Sequence, residues 1–197
     1  HCGGTGGCDG STGLLAMEYL LENGCLKDEE WTYNAKTEAC PKKLEATDQN
    51  IWKSLDDGSP MALHRDLSNG LGSSLGMVGY QKIPENTVEP LLIALYERGP
   101  VVTSVFADNR WNSYSKGILD SCTKAAVINH AVLLTGFGEV KHFRKPLGYW
   151  VIQNSWGERW GERGTVRLQR RSNSQESQWC GWDTSPHDGS GCEGGPA

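Results

Sequence analysis

Tyr149-Trp150-Val151-Ile152-Gln153-Asn154-Ser155-Trp156-Gly157-Glu158-Arg159-Trp160-Gly161 is the stretch on which the reading of this chain turns. Aromatic and β-branched side chains at 149–152 read as a strand, and Gly157 and Gly161 mark the turn that follows. An asparagine therefore stands at a strand end beside two tryptophans. Taken by itself, the same pattern also fits a β-hairpin with exposed polar residues and two packing tryptophans.

A second segment, 24 residues upstream, changes that balance. In Val127-Ile128-Asn129-His130-Ala131-Val132-Leu133-Leu134-Thr135-Gly136-Phe137-Gly138 a polar pair opens an apolar strand and is presented at its edge. A lone histidine is more often structural than catalytic. Next to an amide, however, it has a chemistry: acyl transfer by a thiol needs a base that holds the sulfur as thiolate, and imidazole, titrating near ~6.5, suits that task. The side-chain oxygen of Asn154 can accept the ring N–H of His130 and fix its tautomer, while Trp156 shields that bond from water.

Around these two segments the pattern divides in half. Residues 12–23 place Leu14, Met17 and Leu21 on one helical face, with Ser11 or Thr12 as N-cap and Gly24 past the end. A second helix is predicted from Asn86 as N-cap, Glu89 three residues on and Pro90 in the first turn, and Gly99-Pro100 stops it. Beyond it come short β-rich runs at 101–107, 130–136, 149–153 and 165–169. Residues 41–80, with Asp57-Gly58-Ser59-Pro60 and Ser73-Ser74, read as a long surface excursion that contacts a partner or holds a short helix near 51–55.

Composition removes other classes. A net charge of -5 over 197 residues speaks against a nucleic-acid partner. The apolar runs at 90–95 and 131–137 are far shorter than the ~18 residues of a membrane span. Neither a basic start nor an apolar core follows His1, so the chain reads as processed or partial. Gly3 to Gly7 lacks the Lys-Ser/Thr of a phosphate loop and reads as a turn. Arg163, Arg167, Arg170 and Arg171 read as a solvated strand face. Seven cysteines without paired C-x-x-C knuckles point to disulfides in an oxidising compartment rather than to a metal, and the odd count places one partner outside the chain.

Asn154-Ser155-Trp156-Gly157, followed by Trp160-Gly161, resembles the signature of the papain-family cysteine proteases, which include the cathepsins. The segment around His130 is similar to the family's histidine segment, and Gly7-Cys8-Asp9-Gly10 to its Gly-Cys-Asn-Gly-Gly turn at the substrate cleft. Glu30-Trp31-Thr32-Tyr33, Gly99-Pro100-Val101 and Tyr114 to Ile118 resemble further family landmarks in the same order. The resemblance implies an α+β, two-lobed, disulfide-stabilised fold. Residues 1–82 would be the remainder of the helical lobe with the insertion at about 41–80, 83–183 a β-barrel-like lobe carrying His130 and Asn154, and 184–197 a tail.

The departures carry as much as the matches. The family's nucleophile lies in a Cys-Gly-Ser-Cys-Trp run, which this sequence does not contain. That run sits ~130 to 150 residues before the histidine, yet 129 residues precede His130, some of them in the insertion. The nucleophile is therefore expected on an N-terminal segment or companion chain. By resemblance Cys2 pairs with Cys40, Cys122 with Cys180, and Cys8 with a cysteine of that segment; Cys25 and Cys192, outside the family framework, are expected to bridge.

The resemblance also implies a peptide site. Gly10 would offer its backbone to an extended substrate, Ser11 replaces a family glycine beside it, and Thr12, Ser104, Ile128, Asn129 and Ser185 would line an uncharged pocket. No metal or organic cofactor is implied, and the compartment would be the secretory pathway, lysosomal, vacuolar or extracellular. The expected activity is thiol-dependent hydrolysis of peptide bonds once the nucleophile is supplied. Its rivals are a catalytically inactive homologue serving as a binding or structural subunit, and an ordinary single-chain protease of which this is part.

Overall fold

The computed structural model describes residues 10–23, 28–29, 32–36, 38, 79–84, 86–121, 123–124, 126–143, 145–176, 182–183, 185–186 and 195–196. They belong to two compact units, one within 5–82 and the other from 83 onward. All seven cysteines, and with them every expected disulfide, lie outside the described residues, as do the predicted helix near 51–55 and the excursion at 41–78.

In the first unit, α1 spans Gly13–Asn23. Of its two N-cap candidates Thr12 serves: its hydroxyl oxygen accepts the Leu15 N–H at 3.3 Å, satisfying one of the donors that a helix start leaves unpaired. Gly10 precedes it at φ +86°, a conformation costly for any residue with a Cβ. Further on, Asp28 accepts the Tyr33 N–H on its side chain and the Thr32 hydroxyl on its carbonyl.

The second unit begins with α2, Val88–Glu97. The expected Asn86 cap is replaced by Thr87, because an N-cap needs extended backbone; Thr87 has φ -114° and ψ 118°, while Asn86 sits at φ +54°. The N–H groups of Arg98 and Gly99 both close on the Ala94 carbonyl, and Gly99 at φ +103° turns the chain into β1, Val101–Val105. There follow α3 (Asn109–Asn112), β2 (Ile118–Leu119), β3 (His130–Val140), β4 (Leu147–Gln153), β5 (Thr165–Arg170), α4 (Asn173–Glu176), β6 (Trp182–Asp183) and β7 (Gly195–Pro196).

The lobe expected to be barrel-like is a five-stranded sheet in the order β1-β3-β4-β5-β2, antiparallel except for β2 beside β5, with β6 and β7 paired apart from it. The alternation along the strands explains its core. Leu134, Ile152 and Val166 lie across one another in register, and with Val132 and Trp150 they bury one face against Leu95, Trp111 and Tyr114. Among the described residues no helix is long and apolar enough to cross a membrane.

The arginines of β5 do not form the solvated face that charge patterning predicts. Arg170 keeps only 10% of its side chain exposed; its guanidinium contacts Glu139 at 3.2 Å and lies 5.5 Å from the Trp150 ring. Arg171 pairs with Asp120 at 2.9 Å. Arg167 grips Glu162 through two nitrogens at 2.6 and 2.8 Å, and Glu162 also accepts the Gly117 N–H.

That last cluster has a pH signature. The Arg167 hydrogen bonds, opposed by burial and helped by the Gly117 N–H, hold the Glu162 carboxyl below its ordinary value of 4.5. A carboxyl lower in the folded than in the unfolded state stabilises fully above about pH 4.5, and that contribution is lost as the pH falls through its lowered value. Glu162→Gln is expected to cost on the order of 1 kcal/mol near neutrality and to flatten the decline of Tm with acid. Thermal melts between about pH 6 and 3 check this, and an unchanged acid slope contradicts it.

Candidate active site

His130 opens β3 and Asn154 follows the last residue of β4. Antiparallel pairing of these strands, Leu133 opposite Gln153, brings the two side chains together: His130 Nε2 stands 2.8 Å from Asn154 Oδ1. The oxygen end of the amide is fixed by a second donor, the Ser155 N–H at 2.8 Å. Since Oδ1 only accepts, Nε2 must carry the proton and donate it, which leaves Nδ1 as the basic nitrogen. Among the described residues Nδ1 has no hydrogen-bond partner.

Asn154 is held from behind. It is 5% exposed, and its N–H donates to the Gly164 carbonyl at 2.9 Å. The Gln153 amide donates to the carbonyls of both Asn154 and Gly164 at 3.0 and 3.1 Å. A Cβ on Gly164, at φ +83°, would meet that Gln153 amide nitrogen at 3.0 Å, so the close approach requires glycine. The Asn154 Nδ2 is buried and unpartnered among the described residues.

Trp156 lies against the histidine, ring centroids 5.2 Å apart, and is itself 39% exposed. Behind it Trp160 packs edge-on at 5.2 Å, stacks on Trp111 and donates its indole N–H to the Trp111 carbonyl at 2.8 Å. Trp111 is 1% exposed and donates in turn to the Ser121 hydroxyl. The aromatic column ties the loop at 154–164 to the core, a role for Trp160 and Trp111 that the sequence pattern did not disclose. Next to the asparagine, Val102, Ala131, Leu133, Gln153 and Ser155 border a shallow groove of about 300 Å³.

The residues expected to line a substrate pocket fall in different places. Gly10, Ser11 and Thr12 belong to the first unit, where the Thr12 hydroxyl caps α1. Ser104 is exposed on β1, opposite Ala131 and next to the Val105–His130 pair. Ile128 and Ser185 are half-buried and share a partner that sequence reasoning missed, Asp183, which accepts both backbone N–H groups. The Asn129 carboxamide is committed to Ala107, accepting its N–H at 2.9 Å and donating to its carbonyl at 3.3 Å.

A family description, papain family cysteine protease, matches residues 1–190, and the chain belongs to that family. Mouse cathepsin 7 is 31% identical over 182 residues, 90% of this chain and 45% of that protein; rat cathepsin Q is 28% identical over 173 residues, 87% and 43%. The chain thus spans less than half the length of these curated relatives. Among solved structures, the digestive procathepsin L 3 of Tenebrio molitor larval midgut aligns with a TM-score of 0.62 at 25% identity, over 85% of this chain and 46% of that one. Bromelain from Ananas comosus, solved with the E64 inhibitor, aligns at 0.56 and 23% identity over 88% and 67%, a likeness of fold.

The tautomer is open to direct measurement. In the neutral imidazole of His130, ¹⁵N spectra are expected to show Nε2 protonated and Nδ1 bare, and Asn154→Ala is expected to mix the two forms. A neutral ring protonated at Nδ1 would contradict the assignment.

Proposed function

We propose that the protein to which this chain contributes hydrolyses peptide bonds with a thiol, His130 acting as base and then acid and Asn154 holding its ring. The single observation that carries this is the 2.8 Å bond between His130 Nε2 and Asn154 Oδ1, which points the basic Nδ1 away from the amide. The sulfur is supplied by a segment bearing a Cys-Gly-Ser-Cys-Trp run, linked through Cys8.

The steps follow from the placement of the proton. Nδ1 takes the thiol proton, giving a thiolate beside an imidazolium whose remaining N–H is anchored on Asn154. The thiolate attacks the peptide carbonyl carbon, the C–N bond breaks, and Nδ1–H protonates the departing amine. Nδ1, bare again, then takes a proton from water as the water oxygen attacks the thioester carbonyl; the C–S bond breaks, the acid is released, and Nδ1–H returns its proton to the sulfur. Trp156 keeps water from competing for the Asn154 oxygen. Gly10 and Ser11 would pair with extended substrate backbone, and Thr12, Ser104, Ile128, Asn129 and Ser185, all uncharged, would favour an apolar side chain. The bridges Cys2–Cys40, Cys122–Cys180 and Cys25–Cys192 and a secretory, lysosomal, vacuolar or extracellular setting belong to the same proposal.

For the full-length protein, His130→Ala is expected to lower kcat by roughly 10²–10⁴-fold. Asn154→Ala should lower it by about 10–100-fold, with KM little changed, since that amide orients without touching substrate. A thiol-trapping epoxide should label one cysteine outside residues 1–197 in the wild type and far more slowly in His130→Ala. Absence of labelling in folded protein would instead favour the inactive binding subunit.

A further inference from the structure

Asp183 is a buried carboxylate that the proposed chemistry leaves without a task. It is 4% exposed, and among the described residues it has no ion-pair partner. Its two oxygens are spent on backbone: Oδ2 accepts the Ile128 N–H at 3.0 Å and Oδ1 the Ser185 N–H at 2.9 Å. The residue is held in turn from both sides, through pairing with Gly195 across β6 and β7 and through the Trp182 N–H, which donates to the Lys124 carbonyl at 3.0 Å.

Burying a carboxylate without a cation is costly, and it is tolerated where the ionised group grips donors that a neutral acceptor would hold less firmly. Here the gripped donor is two residues before His130. The residue between them, Asn129, is clamped to the other side: its carboxamide pairs with both backbone groups of Ala107, and its N–H donates to the Val105 carbonyl at 3.2 Å. The segment leading into the histidine is thereby tied to the end of β1 by Asn129 and to the C-terminal segment by Asp183. Neither side chain hydrogen-bonds to the imidazole.

We propose that Asp183 is a positioning residue for His130, fixing the backbone that enters β3 so that the ring meets Asn154. The inference rests on the peptidase reading for its kinetic consequence, while the placement of the ring is readable without it. With Asp183 removed, the Ile128 N–H loses the Asp183 oxygen, the grip on the segment at 127–129 loosens, and the imidazole samples orientations that miss the amide.

The test uses Asp183→Ala and Asp183→Asn in the full-length protein with histidine labelled with ¹⁵N. Asp183→Ala is expected to lower kcat about tenfold with KM changed less than about twofold, the size of loss that a small misplacement produces. Asp183→Asn keeps one acceptor oxygen and should fall between it and the wild type. In Asp183→Ala the His130 ring signals should broaden or shift. Unmoved ring signals in either folded variant would overturn the proposal, as would a kcat loss that only follows the fraction unfolded in thermal melts. Should the wild type cleave no peptide at all, the peptidase reading fails, and a shifted ring in Asp183→Ala still supports the positioning role.

Discussion

One extra residue in β3 decides whether the histidine and the asparagine can meet. Leu133 and Leu134 lie opposite Gln153 and Ile152, but Gly136 lies opposite Val151, so Thr135 is unmatched and forms a bulge. Continued without it, the outer register would set Asn154 opposite Leu133 and leave His130 on the other face of the sheet, because strand side chains alternate. With it, Asn154 falls opposite Val132 and shares a face with His130. The hydroxyl of Thr135 donates to the Val151 carbonyl at 3.2 Å, bonding the displaced residue back to the partner strand.

The bulge brings the two residues to one face, and the loop after β4 keeps them there. A lone amide at a strand end would sample several rotamers; here the Gly164 carbonyl receives both the Asn154 N–H and the Gln153 amide. The Gly164 N–H donates to the Trp160 carbonyl at 2.7 Å, and Trp160 is anchored on buried Trp111. Rigidity in the hydrophobic core is thus passed to the polar pair through packed aromatic rings and backbone bonds rather than through further charged groups.

Much of this was legible in the sequence, and for definable reasons. The strand at 149–153 and the pair His130 and Asn154 announce themselves because a polar residue at the end of an apolar run breaks a strong period. The second helix was readable from Gly99-Pro100, but its cap was misplaced by one residue, since nothing in the letters says that Asn86 adopts a left-handed backbone. Strand β2 escaped because two residues carry no period, and it exists through β5, with the Tyr114 hydroxyl donating to the Gly117 carbonyl beside it. The bulge at Thr135 was not read from the sequence, since the residues around it fit an unbroken strand. Asp183 gave no signal: its partners are backbone groups 55 and two residues away, and no side-chain pattern records them. The arginines misled because charge in a strand reads as exposure, whereas the Phe137 and Trp150 faces and one acidic partner, Glu139, cover Arg170.

The two buried side-chain acceptors, Asn154 and Asp183, differ in kind for a reason that the proposed chemistry supplies. A carboxylate in place of Asn154 would stabilise the imidazolium electrostatically and make its proton harder to release to a leaving amine. A neutral amide orients the same N–H while leaving the ring free to cycle between its two states. Asp183 stands where no proton has to move: both of its oxygens accept backbone N–H groups, and one of these, on Ile128, lies two residues before His130. A carboxyl with two acceptor oxygens is thus used where two backbone N–H groups must be gripped, and a single amide dipole where a proton must pass, so exchanging the two residue types would impair both tasks.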